Sequence, residues 1–442
     1  MNTAVNKGNL PHVVIVGGGF AGIYAAKVLS KAPVQVTIVD RKNHHTFQPL
    51  LYQVATAGLA PSEIATPIRS IVRDYRNTEV LMADVTGFDL EMRIVFTDDG
   101  NLNYDYLIVA SGATHAYFGH DEWANFAPGL KSVEDAVEIR RRVLLAFEIA
   151  ERQARMERKR VPLNFVVVGG GPTGVELAGA LSEISRRVMA EDFRSIDPKS
   201  ARIILVEASP KVLGSFPPDL SESARQQLKK LQVEVMTDSM VTDIGRDWIR
   251  IGKEEMPAAV VLWAAGVAAS PLGKELGVDI DHAGRPIVEP DLSIPGHREV
   301  FVAGDLASVK QENGKPVPGV APGAIQMGTY AAKTIVADLK GEARKPFSYW
   351  DKGTLATIGR NSAIGDLGPI HLSGLIAWLA WLFIHIYFLI GFRNRIRVIA
   401  DWGWQYFTFG RGSRLITGQS DWIVPPEADS RVAVFPDRHA AD

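Results

Sequence analysis

Two stretches of the chain place three glycines where backbone alone can bind an anionic ligand. Phe165–Val168 is a short apolar run that leads into Gly169, Gly171 and Gly174, at G-x-G-x-x-G spacing, before Val175-Glu176-Leu177-Ala178 opens a helical pattern. In such a cradle the first glycine permits a tight turn, the second lets a pyrophosphate approach the backbone, and the third packs helix against strand. Phosphate then lies at the helix N-terminus, where free N–H groups and the macrodipole favour an anion. One triplet is weak evidence, since ordinary glycine turns also produce it. The same grammar recurs near the start of the chain, where His12–Val16 runs into Gly17, Gly19 and Gly22, with Phe20 and Ala21 between, and then an alanine-rich helix.

Each cradle is followed by a strand ending in an acid, Asp40 after Val36–Val39 and Glu207 after Ile203–Val206. A carboxylate there accepts hydrogen bonds from ribose hydroxyls and repels a 2′-phosphate, which favours NADH over NADPH at the second cradle. Asp40 keeps about the expected interval of roughly 20 residues from its glycines. Glu207 lies much further on, behind a polar stretch (Arg186 to Pro198) that reads as a helical insert. Inside the second cradle, Thr173 and Glu176 have two readings. They fit a capping box, with Thr173 as N-cap and Glu176 at N3, or Glu176 relays protons.

These cradles need parallel strands behind them, and the rest of the chain supplies them. Short strands are expected at Val80–Val85, Arg93–Phe96 and Tyr106–Val109, the last running into Ala110-Ser111-Gly112, a small-residue turn that lets backbone pass close to a cofactor. Val260–Trp263 followed by Ala264-Ala265-Gly266 closes the second unit in the same way. One module is present twice, the second inserted within the first. A charged helix over Glu134 to Arg160 connects them, its basic end a solvated face. Past residue 290, Glu299–Ala303 ends in Gly304-Asp305, and a small-residue helix from Ala321 to Leu339 carries Ile325 and Gln326. Both would close around a flavin.

At 442 residues the chain suggests two or three domains, and its net charge of −2 gives no electrostatic footprint for nucleic acid. It has no cysteine, which removes disulfides, thiolate metal sites and redox thiol pairs. Arg41 to Gly58 contains His44, His45, Gln48 and Gln53 but no ligand spacing for a metal, and reads as a flavin-contacting loop. Residues 1–10 carry no apolar stretch of signal-peptide length, so the active domains are expected in the cytoplasm.

The assembled pieces resemble the two-dinucleotide-binding-domain flavoproteins of the glutathione-reductase-like group. Members acting on disulfides, sulfide or peroxide typically use redox cysteines, and this chain has none. More specifically, Asp40 through Ala57, Pro172 to Gly179, Gly304-Asp305 and Ala377 to Phe409 look like type II NADH dehydrogenase, a single-chain, non-proton-pumping NADH:quinone oxidoreductase. The resemblance implies FAD at Gly17, Gly19, Phe20, Ala21, Gly22, Asp40, Arg41, His45, Val85, Ala110, Gly112, Asp305, Ile325 and Gln326. It implies NADH at Gly169, Gly171, Thr173, Gly174, Glu176, Glu207 and Gly266, with Glu176 handling protons. Gln48, Gln326 and Ile358 are the implied quinone contacts. Pro322 stands where the family pattern has an earlier glutamine, a departure that weakens the quinone motif. The resemblance leaves room for a homodimer.

The domains expected are FAD-binding (10–125 and 291–345), NADH-binding (126–290), membrane-anchoring (346–424) and a flexible tail (425–442). Leu372 to Phe392 is an uncharged run of 21 residues, long enough by itself to span a bilayer. Topology argues against spanning, because Arg393, Arg395, Arg397, Arg411 and Arg414 hold the following flank on the cytoplasmic side with the NADH-binding module. In the next stretch Phe392, Ile396, Ile399, Gly403 and Tyr406 share one helical face, opposite Arg393, Arg397 and Asp401. Trp402, Trp404, Tyr406, Phe407 and Phe409 add rings suited to headgroup level. The expected arrangement is an α/β protein held peripherally on the cytoplasmic face of the inner membrane. Hydride passes from NADH to flavin and electrons go on to a membrane quinone. A soluble ferredoxin-type reductase of the same fold and a non-catalytic NADH-responsive flavoprotein are the alternatives.

Overall fold

The computed structural model describes residues 10–158, 161–311, 314, 316–390, 392–408, 410 and 412–417. The expected tail (425–442), Phe409, Arg411 and the last residues of the charged connecting helix lie outside them.

Two parallel sheets carry the two cradles. The first has strand order Ser293–Ile294, His297–Val302, Tyr106–Val109, His12–Val16, Gln35–Asp40, Thr78–Met82, parallel apart from its first short edge strand. The second has order Val233–Met236, Arg202–Val206, Asn164–Val168, Val260–Trp263, all parallel. The chain leaves the first sheet after Val109, builds the whole second sheet, and returns at Ser293, so the inserted-module reading holds. Strands covered by helices on both faces must be apolar throughout, which is why His12–Val16 and Asn164–Val168 read as continuous hydrophobic runs.

Three local expectations are corrected. Val80–Val85 is not one strand, because parallel pairing stops at Met82 and a second strand, Val85–Asp89, starts an antiparallel ribbon with Ile94–Thr97. The stretch after the second cradle helix (Pro172–Glu183) is not a helical insert. It makes one π turn (Ile184–Val188), then follows an irregular path whose backbone N–H groups at Arg194, Ser195 and Ile196 donate to the Glu151 carboxylate. The connecting helix Val133–Glu157 is capped as a Ser132–Asp135 box, and its C-terminal Arg158 takes a left-handed φ of 52°.

The third correction concerns the long apolar run. Leu372 belongs to a short strand, His371–Ser373, and Gly374 at φ 66° turns the chain into a helix of only 14 residues, Leu375–Phe388. At 1.5 Å per residue that helix is about 21 Å long, short of the roughly 30 Å hydrocarbon thickness. No described helix is long and apolar enough to cross a membrane. Leu389 is extended and accepts from Arg395 Nε at 2.7 Å, after which a second helix, Phe392–Thr408, begins. Between the Rossmann-like sheets and these helices lies a three-stranded antiparallel sheet, Thr354–Gly359, Ser362–Asp366 and His371–Ser373.

The apolar helix buries only Ala377 and Trp381 completely, leaving Ile376 67% and Phe383 70% exposed, with Leu375, Leu379 and Tyr387 outward as well. In the following helix Ile396, Ile399 and Gly403 do face outward together, and Trp404 (66%) and Phe407 (83%) join them, while Tyr406 turns its ring towards Trp378 and the side chain of Phe392 lies outside the described residues. Its inward side is made by Val398, Trp402, Asn394 and Asp401. Asn394 donates to Thr66 Oγ1 at 3.1 Å and Trp402 Nε1 to Gln53 Oε1 at 2.7 Å, so Trp402 is a docking residue and not a headgroup ring. A soluble surface rarely groups so many large apolar side chains on one side.

Candidate functional site

The two cradles are built alike, atom for atom. Gly17 and Gly169 have φ near +105°, and a Cβ on either would run into the carbonyl oxygen of the next strand's exit, 2.4 Å from Ala110 O and 2.5 Å from Ala264 O. Gly22 and Gly174 pack on the first glycine's carbonyl, where a Cβ would lie 1.9 Å and 1.8 Å from that oxygen. The middle glycines differ from both. Gly19 (φ −74°, ψ −165°) and Gly171 (φ −72°, ψ −179°) hold ordinary extended backbone that any residue adopts, and a Cβ there meets nothing within 4 Å. Neither folding nor packing requires glycine at these two positions. A ligand that comes against the backbone does.

Both strand-end acids are held alike too. Asp40 accepts from Gly18 N at 2.6 Å and Lys42 N at 2.8 Å; Glu207 accepts from Gly170 N at 2.5 Å and Ser209 N at 2.7 Å. The longer interval before Glu207 is taken up by the irregular excursion and leaves its position at the loop unchanged. Each carboxylate has about four lone-pair sites, so two remain for further donors.

Around the first cradle, His45 is buried. Its Nδ1 donates to Gly18 O at 3.0 Å, and burial pulls its pKa down to about 4, so the ring is neutral and props the glycine loop. Phe20 packs edge-on against His45 and Phe47. His45 Nε2 and Ser111 Oγ are buried with no partner among the described residues, one beside the cradle and the other in the Ala110–Gly112 turn. Gly112 has φ 72° and open space over it, and Val85 is buried at the head of its strand. Asp305 sits in the turn Gly304–Leu306, with Lys131 Nζ 3.9 Å away. Ile325 is half-buried on the helix Ala321–Leu339, and Arg41 is exposed.

Three candidates are placed differently from their expected roles. Gly266 is not open, since a Cβ there would lie 2.5 Å from the Phe118 ring; it adjoins the antiparallel pair Ala113–His115 and Val267–Ala269 that joins the modules. Gln326 is clasped by backbone, donating to Trp350 O at 3.0 Å and accepting from Trp350 N at 2.9 Å, so its amide holds the 350 segment and keeps one N–H and one lone pair. Gln48 is exposed at a 3-10 turn.

The capping box at Thr173 does not form. The helix starts two residues earlier, with Gly171 as N-cap and Pro172 at N1, and no side chain caps it. Pro at N1 is favoured because its missing N–H would be unpaired there anyway. Glu176 is thereby freed for the other side of its helix, where the backbone N–H of Thr357 bonds its carboxylate. Burial outweighs that bond and pushes the carboxyl up to about 8. The close approach depends on Gly179, one turn along, whose Cβ would lie 1.7 Å from Ile358 O.

Glu176 and Ile358 line a cavity of about 100 Å³, open to solvent at its mouth, between the second cradle helix, strand Thr354–Gly359, the short helix Leu51–Ala55 and the two C-terminal helices. Tyr52, Gln53, Trp378, Trp381, Leu382, Trp402 and Tyr406 form one part of the remaining wall, which also carries Glu183 and Arg360. The wall is aromatic and ordered: Trp381 stacks on His385 at 4.1 Å, lies 5.6 Å from Trp402 and meets Tyr52 at 6.4 Å. Gln53 Nε2 donates to Tyr52 OH at 2.8 Å. Sequence reasoning missed Tyr52, Gln53 and Trp381. The available signal was the spacing of Trp378, Trp381 and His385, which falls on one face of the helix.

Comparison with known proteins fits this layout. The family described as pyridine nucleotide-disulphide oxidoreductase matches residues 11–328, and the NDH2 C-terminal domain matches residues 351–412. Type II NADH:quinone oxidoreductase Ndh of Mycobacterium tuberculosis is 46% identical over 423 residues, covering 92% of this chain and 90% of that protein. The type II NADH:quinone oxidoreductase of Haemophilus influenzae is 30% identical over 415 residues, covering 85% and 93%. Among solved structures, NDH2 from Plasmodium falciparum in complex with NADH superposes with a TM-score of 0.82 at 19% identity, over 91% of this chain and 99% of that one, which shows the shared fold.

Proposed function

The chain belongs to the type II NADH:quinone oxidoreductases, and from that membership we propose how its two cradles and its aromatic cavity divide the work. It is an oxidoreductase that takes electrons from NADH and gives them to a quinone. The first cradle holds FAD, the second holds NADH, and the cavity beside Glu176 receives the quinone head. In residue terms the FAD module is 10–125 with 291–345, the NADH module is 126–290, and 346–424 is the membrane-anchoring region.

One observation carries the two-nucleotide reading. Gly19 and Gly171 are glycines that neither backbone nor packing requires, each facing open space above a helix N-terminus. The unpartnered His45 Nε2 and Ser111 Oγ beside the first cradle suit a large polar cofactor there. FAD, when bound, takes two electrons from NADH and hands them to the quinone, chemistry that belongs to the cofactor. The protein's residues bind, orient and supply the proton. Asp40 and Glu207 fix the glycine loops and offer their spare lone pairs to ribose. Glu176, protonated at neutral pH, stands on the cavity wall where a quinone oxygen needs a proton.

A photoreactive quinone, displaced by the plain compound, tests the site. Label is expected within Glu176–Glu183, Thr354–Arg360 and Leu375–Phe388; label confined to the neighbourhoods of Gln48 and Gln326 would relocate it.

The outward apolar faces of the two C-terminal helices support membrane attachment without spanning. The occupant proposed is one leaflet of a bilayer, which brings lipid-dissolved quinone to a cavity walled by the inner sides of the same helices. Replacing both Ile376 and Phe383 by glutamate is expected to cut co-sedimentation with phospholipid vesicles at least tenfold, because each charge must leave water to enter the interface. Turnover with a water-soluble quinone should survive. Unaltered sedimentation of the double variant would remove this surface from the account.

A further inference from the structure

Three indole N–H groups of buried or half-buried tryptophans can be compared. Trp263 Nε1 donates to Ala116 O at 2.8 Å and Trp402 Nε1 to Gln53 Oε1 at 2.7 Å. Trp381 is 2% exposed, yet its Nε1 is buried with no partner among the described residues. Leaving a buried donor unpaired costs as much as losing a hydrogen bond outright, so folded proteins rarely do it without a reason.

The ring has no freedom to seek a partner elsewhere. One face stacks on His385 at 4.1 Å with 27° between the planes, and Trp402 and Tyr52 bound it at 5.6 Å and 6.4 Å. His385 is fixed in turn. Its Nδ1 donates to Trp381 O at 2.7 Å, and burial draws its pKa down to about 4, so it stays neutral and adds no charge to the wall. Nearby, Trp402 Nε1 donates to Gln53 Oε1, and Glu176 accepts from the Thr357 backbone N–H. Of the aromatic side chains on this wall, Trp381 carries a buried indole N–H with no partner among the described residues.

We propose that the Trp381 indole N–H donates to a carbonyl oxygen of the bound quinone and so fixes which way its ring enters the cavity. This rests on the assignment of the cavity to quinone. A quinone offers two carbonyl acceptors and no donor, and an indole N–H is a donor only. The bond strengthens as negative charge grows on that oxygen during reduction, so Trp381 assists the acceptor as well as orienting it.

Trp381→Phe keeps a ring in the stack and removes the N–H. The expected result is a fall of about tenfold in kcat/KM for a short-chain quinone, the size of one well-made hydrogen bond. Flavin reduction by NADH, followed on the same sample, is the internal reference. A purely structural role is separated by infrared difference spectra of bound quinone. The carbonyl band is expected to lie at higher wavenumber in Trp381→Phe than in the parent protein, and Trp381→His, which restores a ring N–H, should recover part of both effects. If photolabelling still marks the cavity while neither kcat/KM nor the carbonyl band moves, the donor role is overturned and a water satisfies the indole. If the label leaves the cavity altogether, it is the quinone assignment that fails.

Discussion

Glu176→Gln is expected to slow quinone reduction by about a hundredfold at pH 7, within the usual range for removing a positioned general acid. Flavin reduction by NADH should change little, because hydride transfer needs no proton from this group. Glutamine keeps the shape and can still accept from the Thr357 N–H, so a merely structural carboxyl would give near-normal rates. The pH dependence follows from burial, which raises the carboxyl to about 8 from an ordinary value of 4.5. A protonated donor is needed, so the wild-type rate should fall as pH rises through about 8, and the glutamine variant should lose that limb. Linkage gives a second reading of the same shift. The folded protein keeps this proton where the unfolded chain has released it, so the group's contribution to stability is complete below about pH 4.5 and is lost as pH climbs towards 8. Thermal melts of Glu176→Gln should lack that decline, and a variant that reduces quinone normally across the range would remove Glu176 from proton delivery.

Gly19→Val and Gly171→Val are expected to give two opposite failures from equivalent positions. A side chain fits the backbone and empty space at both, so both variants should fold. Gly19→Val should purify without flavin colour. Gly171→Val should purify yellow, with the KM for NADH raised about a hundredfold, the equivalent of roughly 3 kcal/mol of lost contact. The control is Gly22→Val and Gly174→Val, whose Cβ atoms would overlap the Gly17 and Gly169 carbonyls at 1.9 Å and 1.8 Å. Those should lower stability whether or not ligand is present, because the clash lies within the protein. Circular dichroism melts separate the two classes. Normal colour and NADH affinity in the first pair would mean that the open spaces above the loops are not where nucleotides lie.

The cradles were legible because their information is local. Strand, three glycines, helix and acid follow one another along the chain, and their duplication around residues 12–40 and 164–207 announced an inserted second module. The small-residue helix Ala321–Leu339 appeared where its pattern put it. The capping reading of Thr173 and Glu176 failed because Gly171-Pro172 starts the helix earlier, a choice that a Ser/Thr–Glu pattern alone does not reveal. The uncharged run at Leu372–Phe392 was too long as read, because Leu372 was taken up by a strand and Gly374 supplied the positive φ that turns the chain. The cavity was beyond local reading for a topological reason. Tyr52, Glu176, Ile358, Trp381 and Trp402 come from separate elements, and only the approach of the second cradle helix to strand Thr354–Gly359 at Gly179 brings them to one place. Gln326 looked like a ligand-facing amide until its reciprocal bonds to Trp350 were seen.

The path of electrons is tested most directly by one anaerobic titration of the purified protein in its visible absorption bands. The account predicts a yellow protein whose flavin bands bleach within one equivalent of NADH, persist bleached, and return when one equivalent of quinone is added. A protein that is colourless and takes up no FAD, or one whose bleached bands stay bleached with every quinone offered, would contradict it.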